Sequence, residues 1–252
     1  MKKYATLVLA LAVMLVSAQT KVNVSLPSLS LPLFPQGSEN GSLSIGLSSD
    51  FNGFGTSFEL KQALASPLYL SLSSSGVVGK IEATGIRDYK ADYTIANFNA
   101  GLGYHLPKKG LWMRELSYQA QLSVSSYYLD DYALGAYDLY TSIALEHSAF
   151  LFLSKDQKNT PLYVIGLAYS ELKDGLNSLP YGNYPDLFIG PETGSQALFL
   201  KPGVGFRSYF GKHLNYSFLL CSNLAVWKKG TFRHSIMAKF LLDINWYRES
   251  AS

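Results

Sequence analysis

Residues that could do chemistry are few in this 252-residue chain: four histidines, one cysteine, and 21 Lys+Arg set against 18 Asp+Glu. Nucleophilic catalysis needs a hydroxyl or thiol within reach of a base. The neighbours His147-Ser148 and His234-Ser235 have the right residue types, but adjacent residues of an extended chain point to opposite faces, so neither His meets its own Ser. Asp130-Asp131 offers acids without a nearby His, His213 falls in a tight turn, and His105 falls near that same end of its segment. Cys221 has no partner in the chain, so no disulfide forms within it. No glycine-rich phosphate loop, zinc-type Cys/His cluster or calcium loop is present, so the sequence indicates no catalytic residues, no cofactor and no metal.

The remaining charges are informative by position. Glu59, Lys61, Glu115, Asp138, Glu146, Lys201, Arg207, Arg233, Lys239 and Asp243 all lie on one parity of segments whose other parity is apolar. From Tyr137 to Leu153, for example, Leu139, Ile143, Leu145, Leu151 and Leu153 alternate with Asp138, Ser142, Glu146 and Ser148. Period two over such a length is a strand with two chemically different faces, since helical spacing would mix the two sets. The same pattern predicts strands near 42–51, 56–73, 80–89, 93–106, 115–128, 137–153, 161–171, 196–210, 214–227 and 232–247. Phe58, Leu60, Leu64, Leu68, Leu70 and Leu72 keep one parity through Ser66-Pro67, which favours one long strand over 56–73, with Pro67 forgoing one ladder bond. The fold expected is all-β: an antiparallel up-and-down barrel of about ten strands, or about eight if residues 42–73 lie outside the closed wall.

Composition agrees. Hydrophobic residues make up 48%, aromatics 14% and charged residues only 15%, which excludes a disordered or coiled-coil chain. The charge balance lacks the basic footprint of a nucleic-acid binder. Met1-Lys2-Lys3, the apolar stretch from Ala5 to Val16, and Val16-Ser17-Ala18 read as a secretory signal peptide over 1–18, cleaved after Ala18. Residues 19–41 are Pro-rich, which blocks both helix and central strand, and are expected to form a periplasmic arm or a plug in the barrel mouth. Residues 42–247 form the barrel and 248–252 a short tail.

Alternation also occurs in soluble lipocalin-like barrels, which turn their apolar parity inward. Strand length and strand ends point the other way. Several strands are longer than the roughly 9–11 tilted residues that cross a bilayer. On the apolar parity, Tyr104, Tyr118, Tyr163, Phe210, Tyr216 and Trp246 sit at one set of strand ends, with Phe58, Tyr128, Tyr137, Tyr169 and Phe232 at the other. Aromatic residues bracketing an aliphatic band are the pattern of lipid–water boundaries.

With tight turns at one end and longer connections such as 172–195 at the other, the chain resembles the small bacterial outer-membrane β-barrel and porin-like proteins from about Ser42 to Tyr247. It departs from them where Trp246-Tyr247 is followed by Arg248-Glu249-Ser250-Ala251-Ser252, because such barrels usually end on an aromatic residue. The resemblance implies a place in the bacterial outer membrane and contact with its lipid. It also implies a passive role, either as a narrow pore for small polar solutes or as a surface-binding scaffold. A soluble secreted ligand-binding barrel and an outer-membrane lipid hydrolase are the competing readings.

Overall fold

An extended segment is stable only when neighbours take up its backbone N–H and C=O groups. The computed structural model describes residues 26–27, 32–35, 40–50, 53–65, 67–83, 89–107, 115–131, 136–153, 159–173, 177–178, 194–211, 213–230 and 232–247. Ten long strands satisfy one another: β1 (Gly41–Asp50), β2 (Gly53–Ala65), β3 (Leu68–Ala83), β4 (Tyr89–Pro107) and β5 (Glu115–Asp131) are followed by β6 (Ala136–Phe152), β7 (Asn159–Lys173), β8 (Gln196–Tyr209), β9 (Leu214–Lys229) and β10 (Ser235–Trp246). Chain neighbours pair antiparallel throughout, and β10 pairs with β1 from Met237↔Asp50 to Trp246↔Gly41. The sheet therefore closes on itself as an up-and-down barrel with no free edge. Two short stretches attach to it: Asn177–Ser178 pair with Tyr137 and Asp138, and Leu26–Pro27 lie parallel to Phe232–Arg233.

The strand expected over 56–73 is a hairpin. The chain reverses between Ala65 and Leu68, and β2 and β3 pair from Gly53↔Gly79 to Ala65↔Leu68 with a register shift at the turn. Parity cannot see this reversal. Ala63 faces Tyr69 across the ladder, and cross-strand partners share a face, so odd positions point inward on both strands. Pro67 sits in the turn, where its missing N–H is harmless. Of the segment expected as a separate strand over 80–89, residues 80–83 end β3 and Tyr89 opens β4, while 84–88 lie outside the described residues. The signal-peptide, tail and most 172–195 positions, and the side chains of Tyr137, Asp138, Asp130 and Asp131, lie outside the described residues.

The barrel is inside-out relative to a soluble one. Phe98 and Ile165 on its outer surface are 63% and 61% exposed, whereas Glu146 and Lys201 are fully buried inside. The lipocalin-like arrangement, with apolar side chains within and charges in water, is thus reversed. Apolar clusters fill part of the interior towards each end. One apolar cluster gathers Tyr93, Ile95, Tyr127, Tyr140, Phe199 and Met237 towards the mouth opposite the Gly41–Trp246 end. The other gathers Phe150, Phe152, Leu162, Val164, Leu219 and Leu241 nearer that end.

Phe232, expected on the outward face, is instead 1% exposed and packs edge-on against Phe199, ring centroids 5.9 Å apart. The reason is local. The ladder is interrupted at His234, whose Nδ1 accepts the Ala225 N–H at 3.0 Å. Both Phe232 and Ser235 then face inward, so counting parity back from β10 fails by one residue.

Close packing of the interior leaves Gly103 no room for a side chain. A Cβ on Gly103 would stand 1.9 Å from Cζ of the Tyr69 ring, which is buried against the β4 backbone. Gly103→Val is expected to cost about 1–3 kcal/mol, as overpacking does. Because the two residues share one space, the cost should fall in a Tyr69→Ala background. Urea unfolding of the purified protein in detergent measures both; equal costs in the two backgrounds would show that the ring is not what Gly103 accommodates.

Candidate functional site: the lumen

Charges can be buried when they are paired and hydrogen-bonded; the wall pairs them, although Lys61 Nζ and Glu59 Oε2 are left without a hydrogen bond among the described residues. Lys201 on β8 reaches across β7 to Glu146 on β6, with both side chains fully buried. It can lie there because the intervening position is Gly166, where a Cβ would meet Ser148 Oγ at 2.7 Å and Lys201 Cβ at 3.4 Å. Glu146 also accepts hydrogen bonds from Ser148 at 2.7 Å and from the Gln121 amide at 3.3 Å.

A second ionic group spans β1. This strand turns only Ser42, Ser44, Gly46, Ser48 and Asp50 inward, leaving room for longer side chains from β2 and β10 to meet over it. Lys239 Nζ lies 2.6 Å from Glu59 Oε1. Lys61 Nζ lies 4.0 Å from Glu59 and 3.8 Å from Asp243. Asp243 accepts from the Ser44 hydroxyl and from Ser217 at 2.8 Å, and Arg207 Nε donates to Ser217 Oγ at 3.3 Å. Among the described buried charges, Lys61, Lys201, Arg207 and Lys239 balance Asp50, Glu59, Glu146 and Asp243. Asp50 accepts the Tyr93 hydroxyl at 2.8 and 2.9 Å.

The two groups are joined by the N-terminal arm. Pro32, Leu33, Phe34 and Pro35 are buried inside the wall. The Leu33 N–H donates to Gln121 Oε1 at 3.2 Å, and Arg207 Nη2 donates to the Pro35 carbonyl at 2.7 Å. A prolyl residue brings no N–H to satisfy, so this tetrapeptide carries few donors into the lumen. Phe34 fills the second apolar cluster and stands 6.0 Å from Lys61 Nζ, while the Arg207 guanidinium lies 5.9 Å over the Phe152 ring. Hydrogen bonds and ion pairs thus run from Lys201 through Glu146, Gln121, the arm, Arg207 and Ser217 to Asp243.

The other candidate positions are placed as follows. Glu115 and Arg233 are half-buried at opposite ends, with Glu115 2.8 Å from His105 Nδ1. Tyr104, Tyr118, Tyr163, Tyr128, Tyr169, Phe210 and Trp246 lie on the outer surface. Tyr216 is half-buried there among Phe206, Phe210 and Phe240, and Phe58 sits in mid-strand between Ile45 and Ser74. His147 also faces outward, with its Nδ1 2.6 Å from the Tyr118 hydroxyl, whereas Ser148 turns inward to Glu146. His213 Nδ1 donates to the Asn245 carbonyl at 3.1 Å. Parity could not foresee the His105–Glu115 and Tyr118–His147 pairs, because each depends on which strands are neighbours.

No protein-family model matches the chain, and no curated protein matches it. Among solved structures it is similar to the translocator domain of the autotransporter NalP from Neisseria meningitidis, at 10% identity over 84% of this chain and 90% of that one, with a TM-score of 0.47. It is also similar to an outer-membrane channel from Pseudomonas putida F1, at 9% identity over 87% and 99% with a TM-score of 0.35. The NanC porin matches at 7% identity over 81% and 99%, with a TM-score of 0.37. These neighbours are outer-membrane β-barrel proteins.

Removing one partner of a buried pair strands the other charge. Glu146→Ala is expected to destabilise the barrel by about 3–5 kcal/mol, while the double change Glu146→Leu with Lys201→Met recovers most of that loss. The check is denaturant unfolding of the three proteins side by side; a single variant as stable as the parent would mean that Lys201 finds water in the lumen instead.

Proposed function

We propose that this chain is an integral protein of the bacterial outer membrane, exported through its N-terminal signal and acting as a non-enzymatic, membrane-anchored scaffold with a shut lumen. The observation that carries the reading is the pairing of an apolar outer belt with a charge-balanced interior crossed by the chain's own arm. Side chains such as Leu122, Leu145, Phe240 and Ile244 stand bare on the outside, where lipid is the partner that takes them from water. Inside, Lys201, Glu146, Lys61, Glu59 and Asp243 expose nothing to solvent, and Pro32–Pro35 occupy the space between the two ionic groups. Barrels of this size are filled by side chains unless something leaves.

A narrow channel for small polar solutes is the second reading, and one feature favours it. The side-chain amides of Gln119, Asn215 and Asn245, together with the hydroxyls of Ser42 and Ser71, are buried inside the wall with no hydrogen-bond partner among the described residues. Such groups suit a wetted path, which opens when the arm withdraws.

Planar-bilayer recording separates the two. The scaffold reading expects no conductance steps from the full mature chain or from a variant lacking residues 19–35; steps from the shortened chain alone mean a gated channel, and steps from both overturn the shut lumen. Membrane residence has its own check. Leu122→Arg, at mid-height on the outer face, is expected to destabilise the barrel in lipid vesicles by about 2–4 kcal/mol; an unchanged unfolding curve, or recovery of the parent protein without detergent, would refute that placement.

A further inference from the structure

Leu26–Pro27 and Phe232–Arg233 run parallel, in register Leu26↔Phe232 and Pro27↔Arg233. Arg233 stands just before β10 begins, at the mouth that bears the 174–195 connection. The far end of β10, at Trp246, pairs with Gly41 at the opposite mouth. The chain is therefore at one mouth at Pro27 and at the other at Gly41. Between them, Pro32–Pro35 are buried and tied to strands three apart in the wall, by Leu33 to Gln121 on β5 and by Pro35 to Arg207 on β8.

The path length agrees. Pro27 to Gly41 covers nearly the same number of residues as Arg233 to Trp246, the ladder partners at the two ends. An extended or polyproline chain rises about 3.1–3.4 Å per residue, as a strand does, so the arm has the length of a direct crossing and little to spare. Its prolines suit that role by holding the chain extended without donors that need partners.

We infer that the arm threads the barrel from mouth to mouth, so that the segment before Leu26 emerges beside the 174–195 connection, opposite the end where β1 starts and β10 finishes. This deepens the scaffold reading and rests on it for the word outside: with the short turns towards the periplasm, the mature N-terminus is displayed on the cell exterior. The barrel then holds the arm in its lumen and presents the residues ahead of it to the surroundings.

The test uses single-cysteine variants of the full chain in a Cys221→Ser background, Asn23→Cys, Asn183→Cys and Lys109→Cys, treated with a membrane-impermeant maleimide before and after the outer membrane is permeabilised. Thiol labelling follows access, so positions 23 and 183 are expected to react in intact cells to within about twofold of each other, and position 109 only after permeabilisation. If position 23 behaves like 109 and unlike 183, threading is overturned while membrane residence stands. If 23 and 183 are both protected and 109 reacts, threading holds and the insertion sense is reversed. If all three react alike in intact cells, the membrane reading fails, and threading is decided on the purified protein. There, Pro27→Cys with Arg233→Cys is expected to form a disulfide that shifts the mobility of the heat-denatured, unreduced chain. Failure to cross-link under oxidising conditions would overturn the inference.

Discussion

The ladder between β10 and β1 is the constraint on which the rest of the molecule depends. While it is closed, every strand gives its backbone hydrogen bonds to neighbours on both sides, and no edge is left to water or to another chain. Closure also divides space into an inside and an outside that the alternating side chains must serve separately. The outside can be apolar because each strand presents Leu, Ile, Val and aromatic residues there. The inside must then take everything polar that the same strands carry, in a volume too narrow for much solvent.

That confinement explains the character of the interior. Side chains as long as Lys201, Lys239 and Arg207 cannot all fit against strands that also bring bulk, so they lie over positions that bring none: Gly166 under Lys201, and the serines and glycine of β1 under the meeting of Glu59, Lys61, Lys239 and Asp243. Balance of charge follows from burial, because an unpaired ion there would be far more costly than a paired one. The N-terminal arm completes the arrangement rather than merely occupying it. Its carbonyl at Pro35 takes a guanidinium donor and its amide at Leu33 gives to Gln121, so polar groups of strands that are not neighbours are satisfied through the arm's own backbone.

How far this was legible from residues alone depends on whether the information is periodic. The strands from β4 to β10 could be read from alternation, because a half-apolar strand repeats every second residue wherever it is placed. The turn at Pro67 could not, because a hairpin whose partners share parity looks like an uninterrupted strand. Phe232 was assigned to the wrong face for the converse reason: a one-residue interruption at His234, supported by a side-chain acceptor in place of a ladder bond, resets a count that assumes regular pleating. The charged parity was visible as a set, yet nothing in it said that Glu146 belongs with Lys201 or Lys239 with Glu59.

By itself, then, the order of residues determined that the chain forms strands, which side chains share a face, and that one face is apolar and the other charged, since these follow from two-residue periodicity and need no knowledge of neighbours. Strand length and aromatic strand ends already pointed the apolar face outward; only the tertiary structure decided which charges meet, and that Pro32–Pro35 of the proline-rich arm lie inside the wall. Each of those is settled by contacts between residues far apart in the chain, made when the tenth strand finds the first and encloses a volume that must be filled and neutralised.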